Sequence, residues 1–203
     1  MPVEVLTSFE RRFGVSIQEG FGLSETSPVA SFNMPDRPRK PGSIGYPVGG
    51  VELCIGDDDD QPLPDGERGE ICIRGHNVMK GYLGRPEATA EAFRGGWFHS
   101  GDIGFVDEEG DVFIVDRMKD LIIRGGYNVY PREVEEVLYR HGAIREGEVL
   151  GIPEEMCGEE VRAVISLKDG CALSAEDVIS YCQEHLADYK YPRVVDIIEE
   201  LPK

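Results

Sequence analysis

The sequence predicts an α+β fold: a small β-barrel or twisted-sheet subdomain, then a compact α/β domain, the two joined by a hinge. Three observations carry this. Residues 41 to 110 are a series of short apolar runs separated by turn signals, in a 203-residue chain with 25 glycines and 13 prolines. From Leu121 onward the runs read β-α-β-β-α-β, a unit of roughly the smallest size that folds alone. Between the two lies a charged joint. The apolar run Val112 to Val115 enters it, Leu121 to Ile123 leaves it, and Asp116, Arg117, Lys119 and Asp120 interrupt it. Such a joint is where one domain can turn against another.

The elements follow in order. Met1 to Phe13 reads as a helix with Val5, Leu6, Phe9 and Phe13 at helical spacing and Gly14 at its stop. Val15 to Gln18 alternates and predicts a strand. Lys40 to Pro47 reads as a stiff, extended connection. Val51 to Ile55, Glu70 to Arg74 and Ile103 to Val106 predict strands. A short helix starts at Pro86 and ends before Gly95-Gly96. A hairpin turn is expected at Asp107-Glu108-Glu109-Gly110. Pro131 opens a helix to about His141, with Val134, Val137, Leu138 and His141 on one face and Glu133, Glu135 and Glu136 on the other. Glu148 to Ile152 and Val161 to Leu167 predict strands. Ser174 caps a further helix with Val178, Ile179, Cys182 and Leu186 inward, and Val194 to Ile198 is the last strand.

Composition narrows the partners. A net charge of −18 argues against nucleic acid and anionic membrane surfaces. The acidity is dispersed apart from Asp57-Asp58-Asp59-Asp60, read as an exposed turn, and the run Glu154 to Glu160, read as a solvated loop. No apolar run approaches membrane-spanning length, and the N-terminus has no signal-peptide pattern. The five cysteines are odd in number and lack a Cys-x-x-Cys. Free thiols in a reducing, cytoplasmic setting are therefore expected over disulfides or zinc. The four histidines show no metal-ligand spacing, and no metal site of cysteine or histidine is assigned.

Three stretches carry chemistry. In Gly20-Phe21-Gly22-Leu23-Ser24-Glu25 two glycines flank a ring, followed by a hydroxyl and a carboxylate. Glycines let a backbone approach a ligand, a ring can stack on a base, and a carboxylate can hold Mg²⁺. The same pattern is also that of an ordinary glycine-rich turn. Asp102, after Ser100-Gly101, can accept both hydroxyls of a ribose, or close an Asx-turn. Arg117 lies fifteen residues on, across the hairpin, which can return it beside Asp102. It suits a phosphate or ribose oxygen, or a surface salt bridge with Asp116 or Asp120.

Taken together, the ordered motifs resemble the adenylate-forming superfamily of acyl-CoA synthetases, luciferases and adenylation domains. They are Gly20 to Glu25, Gly69-Glu70-Ile71-Cys72-Ile73-Arg74-Gly75, Gly81-Tyr82, Ser100-Gly101-Asp102, Asp116-Arg117-x-Lys119-Asp120, Gly126, and Pro131-x-Glu133-Val134-Glu135. Val78 to Tyr82, Gly96 to Asp102 and Asn128 to Glu135 are most similar to fatty-acid–CoA ligases. The resemblance implies that residues 1–117 belong to a large AMP-binding domain and 118–203 to a small C-terminal lid. Phe21 would stack on adenine, with Gly22 beside it, and Ser24 would contact phosphate. Glu25 would bind Mg²⁺. Asp102 would hold the ribose and Arg117 the ribose or α-phosphate side. Lys119 would be the hinge, and Gly126 would line the thiol tunnel. Gly75, Gly81 and Tyr82 are taken as structural.

The implied reaction has two steps, each depending on positioning and charge stabilisation. A carboxylic acid displaces pyrophosphate from ATP, and the thiol of coenzyme A then takes the acyl group from acyl-AMP. Two departures stand out. The family's phosphate loop precedes the region seen here. Its catalytic lysine lies a few residues beyond Lys203, which matches an earlier lysine of the motif. Most of the acyl pocket is missing as well, so negligible adenylation by this polypeptide alone is expected. An amino-acid-activating domain and a non-enzymatic module binding AMP or a partner protein are the competing readings, with an oxidative luciferase behind them.

Overall fold

The computed structural model describes residues 2–201, so Lys203 lies outside the described residues. The chain divides into two compact units. One is Leu6–Met118; the other runs from Lys119 onward and includes Pro2–Val5.

Helix α1 (Val3–Phe13), which enters the first unit at Leu6, is stopped by Gly14, whose N–H donates to the Glu10 carbonyl at 2.8 Å. Seven strands and a short helix follow: β1 (Gly20–Gly22), β2 (Val29–Phe32), β3 (Ser43–Pro47), β4 (Val51–Gly56), β5 (Gly69–Gly75), α2 (Pro86–Ala92), β6 (Phe93–Arg94) and β7 (Trp97–Val106). Strand β8 (Val112–Arg117) completes the sheet, whose order is β1-β2-β3-β8-β7-β5-β4 with β6 paired to β7. The expected barrel is not formed. The sheet is open, because β1 and β4 at its two ends are not hydrogen-bonded to each other. Beyond β4 pairing shrinks to a single bridge at Pro62, a residue with no N–H to extend a ladder.

Two other readings of this unit change. Val15 to Gln18 is not a strand; the Ile17 N–H is taken by the Glu10 carboxylate at 2.8 Å, so the segment is tied to α1 instead of a ladder. The stiff connection before Pro47 does contain a strand, β3. It is fastened by buried polar groups as well as by its ladder: Ser31 donates to the Ile44 carbonyl at 2.9 Å, Asn33 to that of Ser43 at 2.8 Å, and Ser43 to the Asp111 carboxylate at 2.9 Å. The core beneath the sheet holds Ile44, Val51, Ile55, Ile71, Ile73 and Phe98.

The second unit contains β9 (Ile122–Arg124), β10 (Tyr127–Val129), α3 (Pro131–Arg140), β11 (Ile144–Glu154), β12 (Gly158–Leu167), α4 (Ala175–His185) and β13 (Val194–Ile198). Its sheet runs β10-β9-β12-β11, with β13 parallel to β12. Strand β10, absent from the β-α-β-β-α-β reading, arises because Gly125-Gly126 closes a two-residue hairpin pairing Arg124 with Tyr127. Val161, Ala163 and Ile165 alternate along β12 and are fully buried, packed with Val134, Leu138 and Val178 from the helices. The run from Glu154 to Glu160 is more than a solvated loop. Glu160 pairs with Arg124 at 2.6 Å, Glu159 accepts the Ile123 N–H at 2.7 Å, and Glu154 accepts those of Met156 and Cys157.

Helix α4 begins as its sequence predicts. Ser174 caps it, and Asp177 returns a carboxylate to the Ser174 N–H at 2.9 Å and hydroxyl at 2.8 Å.

Two outcomes follow from this packing. Replacing Ile165 with Ala leaves a cavity in the second core and is expected to cost about 2–5 kcal/mol in urea unfolding followed by circular dichroism. The hydrogen bonds from Ser174 hold the Asp177 carboxyl below its ordinary range. A carboxyl depressed in the folded state adds stability above its unfolded value, and that stability fades as pH falls through the folded value. Asp177→Asn should therefore lower stability at pH 7, change little at low pH, and so flatten the acid side of the stability–pH profile.

Candidate functional site

Strand β7 carries the centre of the site. His99 pairs with Cys72 of β5 and Ile103 with Glu70, so Ser100, Gly101 and Asp102 stand opposite Ile71 alone. This is a bulge, and Gly101 occupies it at φ +74°, where a side chain would be strained. The N–H groups displaced from the ladder need other acceptors. Glu70 accepts that of Gly101 at 2.8 Å, and the Ser100 hydroxyl accepts that of Asp102 at 3.1 Å. The β7–β8 hairpin then sets Asp102 directly across from Arg117. Arg117 Nε lies 3.6 Å from the Asp102 carboxylate, farther than a direct hydrogen bond. Asp102 is 7% exposed and the Arg117 side chain 62%. A buried acceptor beside an exposed cation is an arrangement able to hold a vicinal diol next to a negative group.

The second part of the site is β1 and the 3₁₀ turn Ser24–Thr26. Phe21 is half-buried and packs on the first core. The glycines beside it are explained by the chain's own packing. A Cβ on Gly22 would sit 1.7 Å from the Pro28 carbonyl oxygen, and one on Gly20 would sit 2.4 Å from the Phe32 ring. Ser24 is exposed. Glu25 is half-buried, and one carboxylate oxygen accepts the Tyr82 hydroxyl at 2.9 Å. Burial and then this carboxylate push the Tyr82 hydroxyl above its ordinary range, so it stays a donor at neutral pH.

Tyr82, read from sequence as structural, thus links the two parts. It also lines a cavity of about 570 Å³ with Arg85, Ser100, Gly101 and Met118. Thr26 was missed. It is fully buried, and its hydroxyl accepts the Leu23 N–H at 2.9 Å while donating toward the Pro28 carbonyl at 2.8 Å, shaping the turn that carries Glu25. Only the position one residue past Glu25 hinted at it.

The cluster under the bulge was missed as well. Glu70 and His99, each 8% exposed, meet with His99 Nδ1 2.7 Å from Glu70 Oε2. Arg94 Nη2 reaches within 2.9 Å of the same nitrogen. Asp60 is not merely part of an exposed turn, since it pairs with Arg94 at 3.2 Å. Glu70, Cys72 and His99 offer ligand atoms within 4.8 Å of one another. The Arg94 guanidinium at their centre opposes a cation, and burial pushes the Cys72 thiol up to about 12. The cluster is therefore a hydrogen-bonded support. The fold assembles it from residues up to 39 positions apart along the chain, Asp60 to His99, which no local spacing reveals.

In the second unit, Lys119 is exposed in the 3₁₀ turn Met118–Asp120, at the boundary between units. Gly126 sits in the β9–β10 turn at φ +84°, and a Cβ there would meet nothing within 4 Å. No helix among the described residues is long and apolar enough to cross a membrane.

Comparison with known proteins gives consistent matches. Residues 1–83 match the AMP-binding enzyme family, and residues 133–203 match the AMP-binding enzyme C-terminal domain. The chain is 46% identical over 204 residues to the long-chain-fatty-acid–CoA ligase of Bacillus subtilis (strain 168), a match covering 100% of this chain and 36% of that protein. It is 39% identical to the feruloyl-CoA synthase of an Amycolatopsis species, covering 100% of this chain and 41% of that protein. Among solved structures, ATP-bound MatB from Rhodopseudomonas palustris matches with TM-score 0.95 and 35% identity, over 99% of this chain and 40% of that one. The o-succinylbenzoate CoA synthetase of Bacillus subtilis, in complex with its acyl-adenylate intermediate, matches with TM-score 0.88 and 36% identity, over 100% of this chain and 41% of that one. The chain thus spans a little over a third of the length of the fatty-acid ligases it matches.

One consequence concerns the turn that carries Glu25. Thr26→Val keeps the shape but removes the acceptor of the partly buried Leu23 N–H, and should cost about 1–3 kcal/mol in urea unfolding.

Proposed function

The chain belongs to the adenylate-forming family of AMP-binding enzymes, and on that premise we propose that it is part of an ATP-dependent acid–thiol ligase. The reaction activates a fatty acid as acyl-AMP and passes the acyl group to coenzyme A. The observation that carries this reading is the cross-strand pair of buried Asp102 and exposed Arg117. Identity of 40–46% to several long-chain-fatty-acid–CoA ligases supports the choice of acid.

The residues divide the work. Asp102 accepts the ribose hydroxyls, and Arg117 faces the ribose or the α-phosphate, where negative charge builds as pyrophosphate departs. Phe21 stacks on adenine beside Gly22, with its ring held by the core. Ser24 donates to phosphate. Glu25 fits a magnesium ion: Tyr82 fixes one of its oxygens, and a single carboxylate is the share a protein supplies when phosphate and water complete the shell. Bound there, magnesium would neutralise charge on the triphosphate. Residues 1–117 form the end of the large AMP-binding domain and 118–203 the lid, with Lys119 as the pivot between the two half-reactions. Gly126 lines the path of the coenzyme A thiol in the second. The odd number of cysteines, with no Cys-x-x-Cys among them, supports a cytoplasmic setting.

The test is AMP binding by the 203-residue chain, read from its one tryptophan, Trp97, which lies five residues before Asp102. Asp102→Ala should weaken binding on the order of tenfold or more. Unaltered binding by that variant overturns the assignment. In the parent protein, thioester formation should follow fatty-acid chain length; activation of amino acids in their place would favour an adenylation domain.

A further inference from the structure

We propose that Glu70 is a positioning residue for nucleotide recognition: its carboxylate clamps the Ser100–Gly101–Asp102 bulge in the shape that lets Asp102 take both hydroxyls of a ribose. The proposal rests on the nucleotide reading above and deepens it.

The argument starts from what the bulge lacks. Three residues of β7 face one residue of β5, so the ladder cannot hold them. Glu70 projects from β5 beside the gap and fills it from two sides. One oxygen accepts the Gly101 N–H at 2.8 Å, in the middle of the bulge. The other meets His99 Nδ1 at 2.7 Å, just before it. The carboxylate thus spans the entry and the apex of the turn whose exit is Asp102. His99 Nδ1 thus sits against both the Glu70 carboxylate and the Arg94 guanidinium, which fixes the orientation of the imidazole.

A carboxylate this buried is costly unless paired and fixed by hydrogen bonds. Arg94 supplies the countercharge, 3.5 Å from the same oxygen. Arg94 is itself held by the Asp60 carboxylate at 3.2 Å and by the Glu91 carbonyl at 2.8 Å. Glu70, Arg94 and His99 also line the cavity that Ser100 and Gly101 line. A group serving only the fold of β5 would spend its hydrogen bonds along β5. The side-chain bonds of Glu70 go instead to Arg94, His99 and Gly101. The preorganised acceptor is therefore a unit of two carboxylates, one touching the sugar and one holding its carrier.

The experiment uses the 203-residue chain with AMP and 2′,3′-dideoxy-AMP as probes and Trp97 fluorescence as readout. Wild type should prefer AMP. Glu70→Ala should lower AMP affinity on the order of tenfold and leave dideoxy-AMP affinity unchanged, because only the hydroxyl-dependent part of binding passes through Asp102. Glu70→Gln, which keeps an oxygen for the Gly101 N–H, should regain most of the loss. If Asp102→Ala selectively weakens AMP but Glu70→Ala weakens both nucleotides alike, or neither, the positioning role is overturned and the nucleotide reading stands. If wild type does not discriminate the two probes, or Asp102→Ala is without effect, the nucleotide reading falls and this proposal with it. Should Glu70→Ala fail to fold, Glu70→Asp withdraws the same carboxylate by one methylene. A hydroxyl-selective loss in that variant supports the proposal, and equal losses overturn it.

Discussion

The first unit depends on one constraint: a three-residue bulge in β7 that the sheet cannot satisfy by itself. Had β7 run straight, every residue after His99 would pair with a different neighbour on β5. The β7–β8 hairpin sets Asp102 opposite Arg117, and the bulge sets how the same stretch meets β5. A buried carboxylate on the adjacent strand takes the donor that the bulge strands, and Arg94, tied to Asp60, keeps that carboxylate fixed. The backbone that carries Asp102 is thus held in part from one strand away.

The turn carrying Glu25 follows the same logic. Its conformation is held from inside by the Thr26 hydroxyl. Outside, Asn77 donates to the Thr26 and Val29 carbonyls, and Tyr82 donates to Glu25. In both halves of the site, the groups that would meet the ligand sit on irregular backbone. Neighbouring polar side chains replace the missing ladder bonds. Such sites gain rigidity without regular structure, which suits a reaction that depends on placing charges.

Much of this was legible along the chain. The helices at Pro86, Pro131 and Ser174 follow from proline at a first turn and from a capping box, signals that act within four residues. The β7–β8 hairpin follows from Asp107 to Gly110 between apolar runs, and with it the approach of Asp102 to Arg117. Other features were not legible. Val15 to Gln18 alternates like a strand yet gives its Ile17 N–H to Glu10. The glycines around Phe21 read as room for a ligand but make room for Pro28 and Phe32. The acids from Glu154 to Glu160 read as solvated because their partners, Arg124 and Ile123, lie more than thirty residues away.

By itself the amino-acid sequence determined the helix boundaries, the hairpin that returns Arg117 to Asp102, and the ordered motifs by which the family is recognised, because these rest on local sterics and short-range hydrogen bonds. Only the tertiary structure decided that the sheet stays open, that Tyr82 joins the Glu25 turn to the bulge, and that Glu70, Arg94, His99 and Asp60 converge beneath Asp102. Such convergence is set by strand register and by the need to satisfy buried polar groups, and neither is written in the spacing of residues along one strand.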